Sequence, residues 1–458
     1  MALFRRKEEN HVQPEETARS LATPPYHNPY IDELADHYKA RLLRETNLDR
    51  LTSLAPGEMR LAIERMVSQY MSEEKVVIPR NEKEMLLTRL INESVGLGPL
   101  EPLLADSEIT EISINGHKEV YIEKSGRLER TDLKFRDEEH LRHIVDRIVA
   151  PLGRRIDESS PMVDARLKDG SRVNAVIPPV SLNGTLVSIR KFRKEPFAMK
   201  DLMKFHSFDE KMAFFLEAVV QAKMNVLISG GTGSGKTTLL NAVSKAIPVF
   251  ERVITIEDSA ELKLDRPNCV GLEARPPNME GKGEITIRHL VRNSLRMRPD
   301  RIIVGEVRGA EAFDMLQAMN TGHEGSLTTV HANTPQDAFN RLEGMVIMAG
   351  MELPSSVIRE YIVSALDFIV QVTRLSDGTR KMISISEVYT GADKQTRVNE
   401  IFRFQRIGIG KDGEVLGYFT PTGIIPRCLE RLKTFGIEID ETLFQSAEVK
   451  RREHLHPV

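Results

Sequence analysis

Three stretches near the start of the chain carry apolar residues at the spacing of an amphipathic helix. Their apolar faces consist of Ile31, Leu34, Ala35, Tyr38 and Leu42, of Met59, Ile63, Met66, Val67 and Tyr70, and of Leu86, Leu87, Leu90 and Ile91. Asn81 and Glu84 resemble a capping box at the start of the third helix. The pattern predicts a three-helix bundle over residues 29–95. Residues 1–28 are polar and contain several prolines, which predicts a disordered tail.

The pattern changes near Gly96, where short runs of alternating apolar and charged residues predict β-strands. Asp169-Gly170, between two such runs, is a hairpin signal. One helix is expected among the strands, with an apolar face made of Leu141, Ile144, Val145 and Ile148. The mixture predicts an α+β domain over residues 96–193, followed by a linker at 194–200.

Apolar strands and helices alternate from about Asp201 onward. The strand candidates are "MNVLISG", "RVITIED", "RIIVGEV" and "GSLTTVHAN". Such alternation is typical of a parallel sheet with helices on its faces, so an α/β domain is predicted over residues 201–440. Residues 441–458, which end in "KRREHLHPV", are predicted to be a solvated tail.

A glycine-rich segment links one of these strands to a helix and matches the phosphate-loop pattern GxxxxGK[ST]. The candidate nucleotide-binding residues are Gly230, Gly231, Thr232, Gly233, Ser234, Gly235, Lys236, Thr237 and Thr238. Glycines let backbone N–H groups form a nest around phosphate, and the helix N-terminus adds a favourable dipole. Lys236 would reach the β- and γ-phosphates, and the Thr237 hydroxyl would ligate Mg²⁺. The alternative interpretation is an ordinary glycine-rich turn.

Acidic residues end two of the predicted strands. Glu306 ends "RIIVGEV", where it could hold Mg²⁺ through water or polarise the attacking water, while Gly305 stands where an Asp is common. Glu257 and Asp258 end "RVITIED", and a carboxylate there could orient or deprotonate the hydrolytic water. Strand ends also carry solvated acids and helix caps, so both interpretations stay open, as does the choice of Glu257 or Glu306 as the effective base.

Two histidines and two arginines are further candidates. His323 and His331 flank the strand "GSLTTV", where a neutral imidazole could sense the γ-phosphate. Lone histidines are more often surface or core residues, and zinc is not expected because no cysteine lies near them. Arg172 and Arg190 lie on strands of the preceding domain and could stabilise charge on a transferred phosphoryl group. A surface salt bridge is the alternative for both.

The net charge, the cysteine count and the lengths of the apolar runs argue against several classes of function. The chain has 458 residues and a formal net charge of −3, without the basic excess that nucleic-acid binders usually carry, so no direct nucleic-acid partner is expected. The two cysteines, Cys269 and Cys428, are too few for a disulfide framework or a four-thiolate zinc site, and a reducing compartment fits. Without an apolar run of about 20 residues, membrane association is expected to go through a partner or a surface.

Four segments together resemble a known family. "GGTGSGKTT", "ITIEDSAEL", "RPDRIIVGEVRG" and "TGHEGSLTTVHANT" resemble, in order, the Walker A, Asp box, Walker B and His box of the type II and type IV secretion ATPases. Upstream, "GLGPLEPLLADSEITEISINGHKEVYIEKSGRLERT" and "DARLKDGSRVNAVIPPVSLNGTLVSIRKF" resemble the N-terminal domain of the CpaF/TadA-type ATPases of Flp (Tad, type IVc) pilus assembly. The resemblance covers about Gly96 to Cys428. Two cysteines cannot build the tetracysteine zinc insertion that is usual in the type II branch, which argues against that branch.

This resemblance implies a RecA-like P-loop core, preceded by an α+β (PAS-like) domain and an N-terminal helical bundle. It implies a homohexamer that binds ATP and Mg²⁺ between the N-terminal and RecA-like domains, docks on an inner-membrane platform protein and converts ATP hydrolysis into pilin extrusion. The protein would be cytoplasmic, peripheral at the inner face of the membrane. The alternatives are a type IV secretion traffic ATPase, a nucleic-acid motor, which an aromatic content of 5% disfavours, and a nucleotide-gated scaffold.

The resemblance also implies residue roles at the matching motifs. These are Glu257 as the catalytic glutamate, Glu306 as the Walker B glutamate, His323 and His331 as the His-box pair, and Arg172 and Arg190 as phosphate-contacting arginines.

Overall fold

The computed structural model describes residues 29–46, 51, 54–124, 126–192, 195–278, 281–350, 352–393 and 395–446. The chain divides into two compact units, Met1–Arg193 and Lys194–Val458. The predicted N-terminal tail lies outside the described residues, and the predicted division of the first unit at residue 95 stays a prediction. Within the described ranges, none of the helices is both long enough and apolar enough to cross a bilayer.

Helices open the described part of the first unit. They are Pro29–Glu45, Pro56–Glu73 and Arg80–Ser94. Their predicted apolar faces pack together, and Tyr38, Leu42, Ile63, Val67 and Leu86 are fully buried. Burial of one apolar stripe per helix stabilises the three helices, because most helical stability in proteins comes from the packing of an amphipathic face.

The predicted capping box at the third helix is wrong. The helix begins at Arg80, its N-cap is Pro79, and no side chain caps it. Because the helix starts one residue before Asn81, that side chain lies in the first turn and not at the cap position.

An antiparallel sheet of six strands forms the rest of the first unit. The strands are β1 (Ile109–Asn115), β2 (Glu119–Lys124), β3 (Arg127–Arg130), β4 (Met162–Arg166), β5 (Arg172–Val176) and β6 (Leu186–Arg190), in the order β3-β2-β1-β6-β5-β4. The helix Glu138–Val149 packs on one face, and short helices lie at Gly98–Leu100, Glu101–Ala105 and Ala150–Leu152. The hairpin at Asp169-Gly170 is confirmed, with Gly170 at a φ of +93° that suits glycine.

The second unit contains a nine-stranded mixed sheet. Its strands are β7 (Val226–Gly230), β8 (Val253–Glu257), β9 (Cys269–Glu273), β10 (Arg301–Val307), β11 (Leu327–Val330), β12 (Phe368–Arg374), β13 (Arg380–Thr390), β14 (Thr396–Ile409) and β15 (Val415–Pro421), in the order β15-β14-β13-β12-β7-β11-β10-β8-β9. From β12 to β9 all neighbours are parallel, which confirms the α/β class. The antiparallel extension β13-β14-β15 was not predicted.

Helices cover both faces of this sheet. They are Met199–Lys204, Glu210–Gln221, Lys236–Ser244, Ile287–Ser294, Glu311–Asn320, Pro335–Met348, Ser355–Ala365 and Leu429–Thr434, with a last turn at Glu441–Phe444. On β7, Val226 and Ile228 face one apolar cluster and Leu227 faces the other. A central strand buried on both faces explains why "NVLIS" is apolar without alternation.

The predicted boundaries of this unit need two corrections. The helix Met199–Lys204 begins inside the predicted linker. Phe444 is buried against Phe215 and Phe402, so the first residues of the predicted solvated tail belong to the core. Residues 447–458 lie outside the described part of the chain.

A buried arginine joins the amino end of the parallel strands to neighbouring segments. Arg301, the first residue of β10, is fully buried, and its Nη2 lies 3.2 Å from Oε1 of Glu251. Its Nη1 donates to the carbonyl oxygen of Val220 at 2.5 Å. Glu251 is also buried, and its charge is compensated by Arg301 and by the Lys223 ammonium 4.0 Å away.

Candidate nucleotide-binding site

The carboxyl ends of β7, β8, β10 and β11 meet at one edge of the sheet, because these strands are parallel. Ligands of open α/β sheets bind at this edge. The glycine-rich loop follows β7, Glu257 ends β8, Glu306 is next to last in β10, and His331 follows β11. The structure therefore brings the loop and these three side chains to the same edge.

The loop has the backbone that its glycines permit. Gly233 and Gly235 have φ values of +68° and +95°, which side-chain-bearing residues rarely adopt. A Cβ on Gly230 would lie 2.4 Å from the carbonyl oxygen of Val372 on the neighbouring strand. The Ser234 hydroxyl donates to the carbonyl of Gly231 at 2.8 Å and closes the turn. Glycine is thus required at three loop positions by conformation or close approach.

The loop's lysine folds back onto the loop. Nζ of Lys236 lies 3.0 Å from the carbonyl oxygen of Gly230 and 3.1 Å from that of Gly231. Thr232 is exposed in the loop, and Thr237 and Thr238 are half-buried in the first turn of the helix Lys236–Ser244. An ammonium, hydroxyls and a helix N-terminus converge here, which is the donor set that phosphate requires.

The Glu257 side chain occupies the space beside Gly305 on the neighbouring strand, β10. A Cβ on Gly305 would lie 3.0 Å from Cγ of Glu257, which is 4% exposed. Oε2 of Glu257 accepts the backbone N–H of Glu261 at 2.7 Å and that of Leu262 at 3.0 Å. The absence of an Asp at position 305 therefore has a physical reason, because the carboxylate from β8 occupies that place and orders the loop after it.

Glu306 is paired with an arginine that was given no role from sequence. Nη2 of Arg308 lies 2.8 Å from Oε2 of Glu306, and Nη1 lies 3.5 Å from Oδ2 of Asp258. This pairing with Glu306 raises the pKa of Arg308 further above its usual value. Arg308 thus bridges the acids that end β8 and β10.

The surroundings of His331 favour its neutral form. Burial is the largest of the causes that lower the pKa of His331. The nearby ammonium of Lys236 lowers this pKa further, while Glu306 opposes the shift. A neutral imidazole can donate from one ring nitrogen and accept at the other, so it can respond to a neighbouring oxygen anion.

His323 does not lie at this edge. It precedes β11, where Ser326 donates its hydroxyl to the carbonyl of His323 at 2.7 Å and its backbone N–H to Asn225 at 2.9 Å. Since β11 runs away from this position through four residues, His323 and His331 lie at opposite sheet edges, about 13 Å or more apart. Among the described residues, Nδ1 of His323 is buried without a hydrogen-bond partner. The structure therefore separates the predicted pair.

The two candidate arginines lie together in the first unit. Arg172 on β5 is directly opposite Arg190 on β6. Arg166 on β4 is directly opposite Arg172, so three arginines form a row across neighbouring strands. Residues directly opposite each other across strands lie on the same face of a sheet, so the three guanidinium groups share one face.

The donor set fits Mg²⁺ bound with a nucleotide. No group of three or more His, Cys, Asp or Glu side chains in the described ranges could hold a metal alone. Magnesium commonly uses one or two protein oxygens, substrate phosphates and several waters. The Thr237 hydroxyl and, through water, the Glu306 carboxylate would hold it at this edge.

Sequence reasoning missed several charged residues near the candidate site. Arg308 follows Glu306 by two positions, and a strand end that carries both charges was the available signal. Arg374 and Arg380 adjoin the glycine-rich loop from the hairpin between β12 and β13. Their proximity comes from strand pairing between segments about 140 positions apart, which no local pattern reports.

One family model and two known proteins are similar in sequence to this chain. A family model described as "Type II/IV secretion system protein" matches residues 93–409. A putative conjugal transfer protein of Mycobacterium tuberculosis is 39% identical over 303 residues, which cover 65% of this chain and 86% of that protein. The type IV secretion system protein VirB11 of Brucella suis is 34% identical over 339 residues, which cover 66% and 91%.

Similar solved structures include two ATPases. The VirB11 ATPase of Brucella suis in complex with sulphate is 31% identical, with 63% of this chain and 94% of that chain covered and a TM-score of 0.35. The Legionella pneumophila ATPase DotB is 21% identical, with 65% and 77% covered and a TM-score of 0.44.

Proposed function

Because this chain belongs to the type II/IV secretion system protein family, whose model matches residues 93–409, we propose that it is an ATP-hydrolysing motor of a pilus or secretion machine. The observation that carries the proposal is the phosphate loop after β7, with Glu257, Glu306 and His331 at the same sheet edge. Relatives named as secretion or conjugal transfer proteins support the same class.

Lys236 is proposed to bind the β- and γ-phosphates. Its ammonium now donates to the carbonyls of Gly230 and Gly231, and it would exchange these for phosphate oxygens. The exchange costs little, because one set of charge-assisted hydrogen bonds replaces another. Mg²⁺, held by Thr237 and through water by Glu306, would neutralise charge that develops on the phosphates.

A carboxylate at this edge is proposed to position the attacking water. Glu257 is buried and fixed by two backbone N–H groups, which suits a group that must hold one orientation. Glu306 is half-buried and paired with Arg308, which would compete with a water for its oxygens. This contrast supports Glu257 as the catalytic glutamate, with Glu306 nearer the metal and His331 sensing the γ-phosphate as a neutral donor.

We further propose a homohexamer in which Arg172 and Arg190 act on a nucleotide bound by a neighbouring subunit. The pair of facing arginines on β5 and β6 supports this, because two neighbouring guanidinium groups can bind one phosphate group together. Mixing Arg172→Ala subunits with Lys236→Ala subunits tests the proposal, since each variant alone should be inactive. Partial recovery of hydrolysis in the mixture is expected, and no recovery at any ratio contradicts action between subunits.

For the machine itself we propose assembly of a Flp (Tad) pilus from the cytoplasmic face of an inner-membrane platform protein. The resemblance of residues 96–193 to CpaF/TadA-type ATPases supports this choice. Type IV secretion is the second candidate, favoured by the identity to VirB11 of Brucella suis. Deleting the gene in its host distinguishes them, because loss of surface pili with intact secretion fits the first proposal and the reverse fits the second.

A further inference from the structure

The hairpin between β12 and β13 brings two arginines to the phosphate loop. Nε of Arg380 donates to the carbonyl oxygen of Gly233 at 2.9 Å. Nη1 of Arg374 lies 3.8 Å from the position of a Cβ on Gly233, and Cδ of Arg380 lies 3.6 Å from that of a Cβ on Gly235. Both arginine side chains are exposed. Two cationic groups therefore adjoin the loop from within the same unit.

The two arginines face each other. Arg374 ends β12, Arg380 begins β13, and they are directly opposite in the antiparallel register. Two guanidinium groups at such positions can bind one phosphate group together, because each binds phosphate through paired hydrogen bonds.

This hairpin is anchored to the rest of the unit at its turn and near the start of β13. Oδ2 of Asp377, in the turn, accepts the backbone N–H of Val415 at 2.8 Å. At the start of β13, Met382 donates its backbone N–H to the carbonyl of Ser207 at 2.8 Å. The arginines are thus carried on a backbone fixed at several points, so little order must be created when an anion binds.

We propose that Arg374 and Arg380 are a second cation pair of the nucleotide site, contributed by the same subunit as the phosphate loop. Arg380 positions the loop through the carbonyl of Gly233, and both guanidinium groups bind the phosphate chain of the nucleotide. The inference rests on the proposed nucleotide binding and deepens it. It is separate from Arg172 and Arg190, which are proposed to act on a neighbouring subunit's nucleotide.

This pair complements Lys236. The carbonyls of Gly230 and Gly231 receive the ammonium, and the carbonyl of Gly233 receives the Arg380 guanidinium. Cationic donors therefore bind carbonyls along the loop. On binding, the phosphate chain would meet positive charge from the helix side and from the hairpin side.

The test is the affinity of the full-length protein for MgADP, measured by calorimetry, and for AMP, measured by displacement of a fluorescent ADP analogue. Arg374→Ala and Arg380→Ala should each weaken MgADP binding about tenfold and AMP binding much less, since AMP lacks the β-phosphate. Arg380→Lys, which keeps the charge, should recover most of the affinity. Arg380→Gln, which keeps a donor for the Gly233 carbonyl, should not. Arg397→Ala is the control, because that exposed arginine pairs with Asp393 beside the opposite end of β13.

Three results would overturn the inference. Wild-type affinity in both alanine variants, with binding lost in Lys236→Ala, would leave the nucleotide site intact and remove the pair from it. Full recovery by Arg380→Gln, or equal losses for ADP and AMP, would reduce the arginines to supports of the loop. A wild-type protein that binds no nucleotide would instead contradict the proposed function, and the inference would fall with it.

Discussion

Replacing Gly305 with alanine should impair turnover more than nucleotide binding. The added Cβ would lie 3.0 Å from Cγ and 3.6 Å from Oε2 of Glu257. Carbon atoms in contact prefer about 3.5–4.0 Å, so the Glu257 side chain must move by about half an ångström. Its hydrogen bonds to the N–H groups of Glu261 and Leu262, at 2.7 and 3.0 Å, would lengthen or break.

The expected magnitudes follow from that displacement. Overpacking of this kind costs about 1–3 kcal/mol of unfolding free energy, which corresponds to a melting temperature lower by a few degrees. Misplacing a catalytic group by up to an ångström costs roughly 10- to 100-fold in rate, so kcat should fall by that range. Affinity for MgADP should change by less than about twofold, because the Lys236 contacts are untouched.

The assay compares phosphate release, MgADP affinity and thermal unfolding of Gly305→Ala with those of Gly344→Ala. Gly344 lies in the helix Pro335–Met348, and a Cβ there meets no atom within 4 Å. The control should therefore keep wild-type kcat and gain about 0.5–1 kcal/mol of stability. Wild-type kcat in Gly305→Ala would refute the reasoning, because Glu257 would then either tolerate the contact or play no part in hydrolysis.

Other variants test the buried and titrating groups. Arg301→Met removes the bidentate partner of the buried Glu251 carboxylate and leaves it with the Lys223 ammonium 4.0 Å away, so it should cost about 3–5 kcal/mol in urea unfolding. An unchanged midpoint would count against the Arg301–Glu251 pair. The pKa of His331 is lower in the folded protein than in the unfolded chain, so the unfolded chain binds a proton first as the pH falls. The unfolding free energy should therefore fall as the pH drops below about 6.5, and it should be level above that pH. His331→Gln should lessen this loss between pH 7.5 and 5.5, and an identical pH dependence would speak against it. Glu306→Gln should slow turnover while ATP stays bound, and a wild-type rate would remove Glu306 from the mechanism.

The local sequence pattern was enough to predict the central strand β7 and the glycine-rich loop after it. "NVLIS" followed by "GGTGSGKTT" carries both the hydrophobic run of a buried parallel strand and the glycines that the loop backbone needs. Gly233 and Gly235 have the left-handed φ values that make glycine necessary. Such features depend on neighbours in sequence, which is why sequence reasoning reached them.

Features that depend on distant segments were out of reach. The sequence has a glycine at position 305, where an Asp is common. The Glu257 side chain from another strand explains this glycine, and no local pattern indicates that contact. His323 and His331 looked like a pair, yet the strand between them carries them to opposite sheet edges. Register and strand order decide these contacts, and neither is written in local periodicity.

The antiparallel extension was within reach but missed. Asp377-Gly378 and Asp412-Gly413 are hairpin signals, and the structure has φ values of +84° and +82° at the two glycines. The consequence was functional, because the first of these hairpins carries Arg374 and Arg380 to the phosphate loop.

Steady-state phosphate release from MgATP by the purified wild-type protein, with mass in solution recorded alongside, tests the central claim most directly. The matched variants are Lys236→Ala, which removes the phosphate-binding ammonium, and Lys245→Ala, which removes an exposed lysine just past the end of the same helix. Hydrolysis that Lys236→Ala abolishes and Lys245→Ala retains, from a six-subunit assembly, is the predicted result. Hydrolysis that survives Lys236→Ala, or a wild-type assembly that binds MgATP without turning it over, would contradict the account.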